Sequence, residues 1–170
     1  MANENDYLIF VVENNKIFNH LVTEYLKKQH FTRIKSVFSG EECMEAIERG
    51  EIPDIVIQDY LLEEMNGIDV LRKVKKKSPR TEFLFLTSNE NMEVAVNTIK
   101  FGAYDYIVKD KLALEKVVYK LNKIIQLKKL QKKNRQIRMS MFVFLGFIFL
   151  VVIFAFLYFV VDIFNVRNYT

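Results

Sequence analysis

The chain is predicted to be an α/β protein built on a doubly wound, five-stranded parallel sheet. Three observations predict this. Short apolar runs alternate along the chain with segments of helical periodicity. The intervals between the runs are long enough for crossover helices, which parallel neighbours require. Polar residues able to carry chemistry recur where the apolar runs end, and in open parallel sheets ligands sit beyond the carboxyl ends of the strands.

The elements follow in order. The run YLIFVV (7–12) reads as the first strand. From Asn15 to Gln29, apolar Phe18, Leu21, Val22, Tyr25 and Leu26 recur at helical spacing. RIKSVF (33–38) is a shorter, half-polar strand. Ser39 caps a helix through Arg49, with Glu42 three residues on completing a capping box and Gly50 ending it. DIVIQD (54–59) is the third strand and a helix follows from Gly67 to about Lys77. TEFLFLTS (81–88) is the fourth strand, SNEN (88–91) a helix N-terminus, Met92 to Phe101 a helix and YDYIVK (104–109) the fifth strand. The last helix starts near Leu112 and shows one apolar face through Leu114, Val117, Val118, Leu121, Ile124 and Ile125.

Charge divides the 170 residues unevenly. Residues 1–108 carry 13 Lys and Arg against 18 Asp and Glu, whereas residues 109–138 carry 11 against 2. The net charge of +4 is therefore an acidic domain plus a basic connector, and it makes no case for nucleic-acid binding. Cys43 is the single cysteine, so no internal disulfide forms, and it has no His or second Cys beside it. His20 and His30 lack metal-ligand spacing and read as helix-surface or helix-end residues. The N-terminal apolar run is too short, and lacks the positive leader, for a signal peptide.

Met141 to Val161 is 21 residues without a charge, Asn, Gln or Pro, and 17 of them are Leu, Ile, Val or Phe. As a helix it would be roughly 31 Å long, close to the bilayer core. Insertion would gain on the order of 5–10 kcal/mol. Lys128 to Arg138 hold six basic residues and no acid, so the positive-inside rule keeps the N-terminal domain in the cytoplasm. Tyr158 and Tyr169 are expected near the outer interface. The expected organisation is a domain over 1–127, a basic juxtamembrane connector over 128–140, a transmembrane helix over 141–161 and a short extracytoplasmic tail over 162–170. Leu127, Leu130, Asn134 and Ile137 have heptad spacing too short to define a coiled coil. The connector reads either as a solvated stalk or as a binder of anionic lipid, at about 1 kcal/mol per basic residue.

The residues at the predicted strand ends are Glu13 and Asn14, Asp59, Thr87 and Ser88, and Lys109. Acids, a hydroxyl and an ammonium converging at one sheet edge suit phosphoryl transfer. A carboxylate can be the nucleophile, a divalent cation such as Mg2+ can offset charge, and the Lys and Thr can meet the phosphoryl oxygens.

In the set IFVVEN, DIVIQDYLLEEMNGIDVL, FLFLTS and AYDYIVKD, in that order, the chain resembles the response-regulator receiver domains of two-component signalling over residues 7 to about 127. The resemblance implies a flavodoxin-like (βα)5 fold, with Asp59 as phosphoacceptor and Glu13 and Asn14 in the places of the family's acidic pair. It implies that the Leu61 carbonyl joins Glu13, Asn14 and Asp59 around Mg2+, that Thr87 and Lys109 contact the phosphoryl group, and that Tyr106 is a switch aromatic, although Tyr106 also fits a plain core residue. The implied donor is a histidine kinase or phosphotransfer protein.

Two departures stand out. Asn14 replaces an acid, which weakens the expected Mg2+ site. Asp110 replaces a proline after Lys109, which makes a cis peptide there unfavourable by about 2.5–4 kcal/mol. Leu61 cannot hydrogen-bond an attacking water, so slow self-dephosphorylation is expected. With no output domain recognised in the chain, signalling is expected to pass through a partner protein or through homodimerisation. The competing expectation is a receiver fold that no longer accepts phosphate and serves as a membrane-tethered docking module.

Overall fold

The computed structural model describes residues 7–63, 65–88 and 91–167, with side chains of residues 155 and 159–167 outside the description. The expectations placed on Tyr169, on residues 168–170 of the tail and on part of SNEN therefore lie outside the described residues, whereas the backbone of 162–167 continues the last helix. The elements run β1 (Ile9–Val12), α1 (Lys16–Lys28), β2 (Ile34–Val37), α2 (Gly40–Glu48), β3 (Ile55–Gln58), α3 (Gly67–Lys77), β4 (Glu82–Thr87), α4 (Met92–Lys100), β5 (Asp105–Val108) and α5 (Ala113–Arg167). Each expected strand and each expected helix of the sheet domain is present. The strands are shorter than the apolar runs by one or two residues at their ends.

Helix starts follow their side-chain caps. Asn15, Ser39, Asn66 and Asn91 each accept a backbone N–H of the first turn, which satisfies a donor the helix itself leaves open. At α2 the expected capping box is displaced by one residue. Ser39 accepts from Glu42 N at 3.0 Å, but the Glu42 carboxylate accepts from Phe38 N at 2.7 Å rather than from Ser39 N. α1 ends with His30 at φ 69°, where Phe31 N closes back onto Leu26 O at 3.1 Å.

The five strands are all parallel, in the order β2-β1-β3-β4-β5, the flavodoxin-like arrangement. Alternation along each strand divides the core into two layers. Ile9, Val11, Ile55, Ile57, Leu84, Leu86 and Ile107 face α1 and the first turns of α5. Phe10, Val12, Val56, Phe83 and Phe85 face α2 and α3. Burial on both faces explains why the central strands β1, β3 and β4 read as near-continuous apolar runs, while the edge strand β2 is half-polar. The order reverses between β1 and β3, where the chain leaves in opposite directions, and this opens a crevice at their carboxyl ends.

The chain divides into two compact units, residues 1–126 and 127–170. In the second, the described residues are helical and the side chains described from 131 onward are all exposed. Among the described residues, one helix is long and apolar enough by length and composition to cross a membrane.

Candidate functional site

The crevice is built by one-residue extensions of the ladder. Beyond their strands, Glu13 N donates to Val37 O at 3.0 Å, Asp59 N to Val12 O at 3.0 Å and Lys109 N to Thr87 O at 2.9 Å. Each of these residues is thus the last one the sheet fixes, and its side chain emerges where the sheet ends. Asn19 adds a brace, its buried amide donating to the carbonyls of Val11, Glu13 and Val37 at 3.0–3.2 Å.

Two nearly buried carboxylates meet one ammonium. Lys109 Nζ lies 2.6 Å from Glu13 Oε2 and 2.5 Å from Asp59 Oδ2. Residue exposure is 4 % for Glu13 and 6 % for Asp59, so the pairing is not a solvent-exposed ion pair of small value. The other Glu13 oxygen accepts from Asn15 N at 3.0 Å, and Asp59 Oδ1 accepts from Leu61 N at 3.2 Å. That second contact is an Asx turn, which fixes the start of the β3–α3 loop. Burial raises the Glu13 pKa above the ordinary carboxylate value, against the opposing pull of the Lys109 hydrogen bond.

The other expected site residues are distributed around this trio. Thr87 is fully buried at the end of β4. Tyr106 is half-buried on β5 against the α2–α3 core layer, and burial first, then the charge of Asp59, raises its phenol pKa. Asn14 is turned to the β3–α3 loop, its amide donating to Glu63 Oε1 at 3.3 Å. The Leu61 side chain is exposed. The peptide between Lys109 and Asp110 is trans; Lys109 nevertheless reaches both acids. Asp110 serves α5, accepting from Leu112 N at 2.9 Å and pairing with Lys116 at 2.5 Å. The Lys116 hydrogen bond holds its carboxyl below the ordinary range.

Sequence reasoning missed several contributors. Phe18 was expected only as part of a helix face, yet Lys109 Nζ stands 4.4 Å from its ring centroid. Gln58, just before Asp59, is fully buried and donates to Gly67 O at 2.7 Å, while its Oε1 has no protein partner. A polar residue inside an apolar strand was the available signal for Gln58; nothing in the sequence distinguished Phe18 from its apolar neighbours.

Among the described residues, no cluster of three or more His, Cys, Asp or Glu could hold a metal. The pair Glu13 and Asp59 nevertheless fits Mg2+, which takes one or two carboxylates and completes its shell with water and phosphate oxygens.

Comparison with known proteins agrees with this architecture. The model of the response regulator receiver domain matches residues 9–122. The regulatory protein LuxO of Vibrio cholerae is 38% identical over 76 residues, 45% of this chain and 16% of LuxO. A cyclic di-GMP phosphodiesterase of Thermotoga maritima is 30% identical over 101 residues, 59% of this chain and 26% of that protein. The crystal structure of a signal receiver domain assigned to a LuxO repressor of Vibrio parahaemolyticus superposes with a TM-score of 0.67 at 25% identity, covering 74% of this chain and 95% of that domain. The match therefore spans only a minor part of these two curated relatives' length. This chain belongs to the response regulator receiver domain family. Receiver domains are signalling domains that interact with histidine kinases or phosphotransfer proteins and generally bind Mg2+ at the phosphorylation site.

Proposed function

We propose that the chain is a membrane-anchored receiver that takes a phosphoryl group on Asp59 from a phosphohistidine and signals through the surface it presents at the membrane. The observation that carries the reading is the convergence of Glu13 and Asp59 on Lys109 at the switch-point crevice. In the proposed transfer, an Asp59 carboxylate oxygen attacks phosphorus in line with the P–N bond. That bond breaks with its electron pair going to the imidazole nitrogen, which then takes a proton from solvent. Lys109 exchanges a carboxylate oxygen for a phosphoryl oxygen and so holds the developing charge. Thr87 donates to a second phosphoryl oxygen, and Tyr106 follows it as the switch.

Bound Mg2+ would supply charge neutralisation between the acids and the incoming phosphate. Glu13 and Asp59 would be its carboxylate ligands, with the Leu61 carbonyl and the Asn14 amide oxygen beside them. The neutral Asn14 makes this a weak site, and exposed Leu61 offers no group to orient water for hydrolysis. The anchor reading rests on the uncharged run Met141–Val161 behind a basic connector. It places the receiver on the cytoplasmic side of the membrane, with output through a partner protein or a second copy.

The test is incubation of the full chain in detergent with acetyl phosphate or phosphoramidate and Mg2+. One added phosphoryl group is expected by mass, absent in Asp59→Asn and formed faster in Asn14→Asp. Failure to label either the native chain or Asn14→Asp would overturn the phosphoacceptor reading in favour of a docking module.

A further inference from the structure

The Lys109 ammonium has a third neighbour. Two of its N–H directions are taken by Glu13 Oε2 and Asp59 Oδ2 at 2.6 and 2.5 Å. The Phe18 ring stands with its centroid 4.4 Å from Nζ, inside the ~6 Å range at which a ring face attracts a cation. The lysine side chain is only 15 % exposed, so the contact is made where water screens it little.

Phe18 is itself held in place. Its backbone N–H is the donor that the Asn15 cap satisfies, with Asn15 Oδ1 accepting at 3.0 Å. Its ring packs on the core layer shared by α1 and α5. The first turn of α1 thus delivers an aromatic ring to the lysine as directly as the end of β1 delivers Glu13.

We propose that Phe18 is a positioning residue for Lys109, its ring holding the ammonium against Glu13 and Asp59. The alternative is an ordinary half-buried core aromatic that only fills space. The two differ in what replaces the ring. Leucine keeps most of the apolar contact and removes the π face; tyrosine keeps the face. A lysine held on two sides by carboxylates and on a third by a ring has few other places to go, and that restraint keeps it aligned when a phosphoryl group arrives. This consequence for transfer rests on the phosphoacceptor reading; the contact itself does not.

The experiment compares the full native chain with Phe18→Leu and Phe18→Tyr, using isotopically labelled lysine. The Lys109 ε-methylene resonance is identified by its loss in Lys109→Arg. In the native chain and in Phe18→Tyr the ring should shift that resonance upfield; in Phe18→Leu it should move towards the value of a free lysine. Acetyl phosphate labelling of Phe18→Leu should be slower by about tenfold, with Phe18→Tyr near native. If Phe18→Leu does not fold, Phe18→Met serves in its place. An unshifted Lys109 resonance in the native chain, or equal effects of the leucine and tyrosine changes, would overturn the proposal. Should the native chain fail to label at all, the phosphoacceptor reading fails, and the lysine resonance still decides the role of the ring.

Discussion

Lys109 is the residue on which the site's electrostatics balance. Burial already pushes the Glu13 pKa up, and the Lys109 hydrogen bond is the chief opposing influence. In Lys109→Met that opposing influence is gone, leaving two buried carboxylates facing each other. Removing one partner of a buried ion pair costs about 3 kcal/mol or more. The sign with pH follows from linkage. A folded-state pKa raised above the unfolded value means stability fully present below the unfolded Glu value and lost as pH rises through the folded one. Denaturant unfolding of Lys109→Met should therefore fall furthest below native at neutral pH and approach it under acid conditions. A deficit that does not change with pH would contradict this account. Cys43 tests burial in another way. Its thiol is fully buried and pushed up to about 12, chiefly by desolvation. In the folded chain it should react with a maleimide far more slowly than in urea, since the thiolate is the nucleophile.

At the scale of elements, the β3–α3 junction ties the fold to the site most tightly. A Cβ at Gly67 would lie 2.6 Å from Gln58 Nε2, 2.9 Å from the Asp59 carbonyl and 3.0 Å from the Phe85 ring. Gly67→Ala should destabilise by about 2 kcal/mol, read as a lower urea midpoint. Adding Gln58→Ala should not restore it, because the Asp59 carbonyl and Phe85 remain; full rescue would show that the flexible amide alone sets the constraint. This junction also marks how far the sequence could be read. Strand and helix order was legible because the central strands β1, β3 and β4 are buried on both faces and α1, α2 and α3 each bury one, so periodicity carried the information. Asp59, Glu13 and Lys109 stood out as charges ending apolar runs. The Gln58–Gly67 staple, the Asn19 brace and the Phe18–Lys109 contact were not legible. They depend on which side chains two separate elements bring together, and no period in either segment encodes that. Asp110 shows the same limit. It stands in the sequence as a departure that disfavours a cis peptide, yet it forms a turn ahead of α5 while Lys109 still reaches both acids.

For the whole molecule the proposed topology makes a prediction that the chemistry of Cys43 makes practical. A buried thiol with a raised pKa gives little background, so single added cysteines can report sidedness without removing the native one. Lys28 ends α1 and is exposed; Asn168 follows the apolar run. If the six basic residues between Lys128 and Arg138 hold the connector on the cytoplasmic side, a membrane-impermeant maleimide added to intact cells should label Asn168→Cys. Lys28→Cys should be labelled only after lysis. Exchanging the charge asymmetry, by replacing those basic residues with glutamine and placing lysines after Asp162, should weaken or reverse the pattern, because the bias depends on Lys and Arg near the ends of the span. Labelling of Lys28→Cys in intact cells would put the Asp59 crevice on the side away from cytoplasmic kinases and defeat the proposed signalling role. Recovery of the native chain in the soluble fraction would show that the apolar run is covered by a partner instead of by lipid.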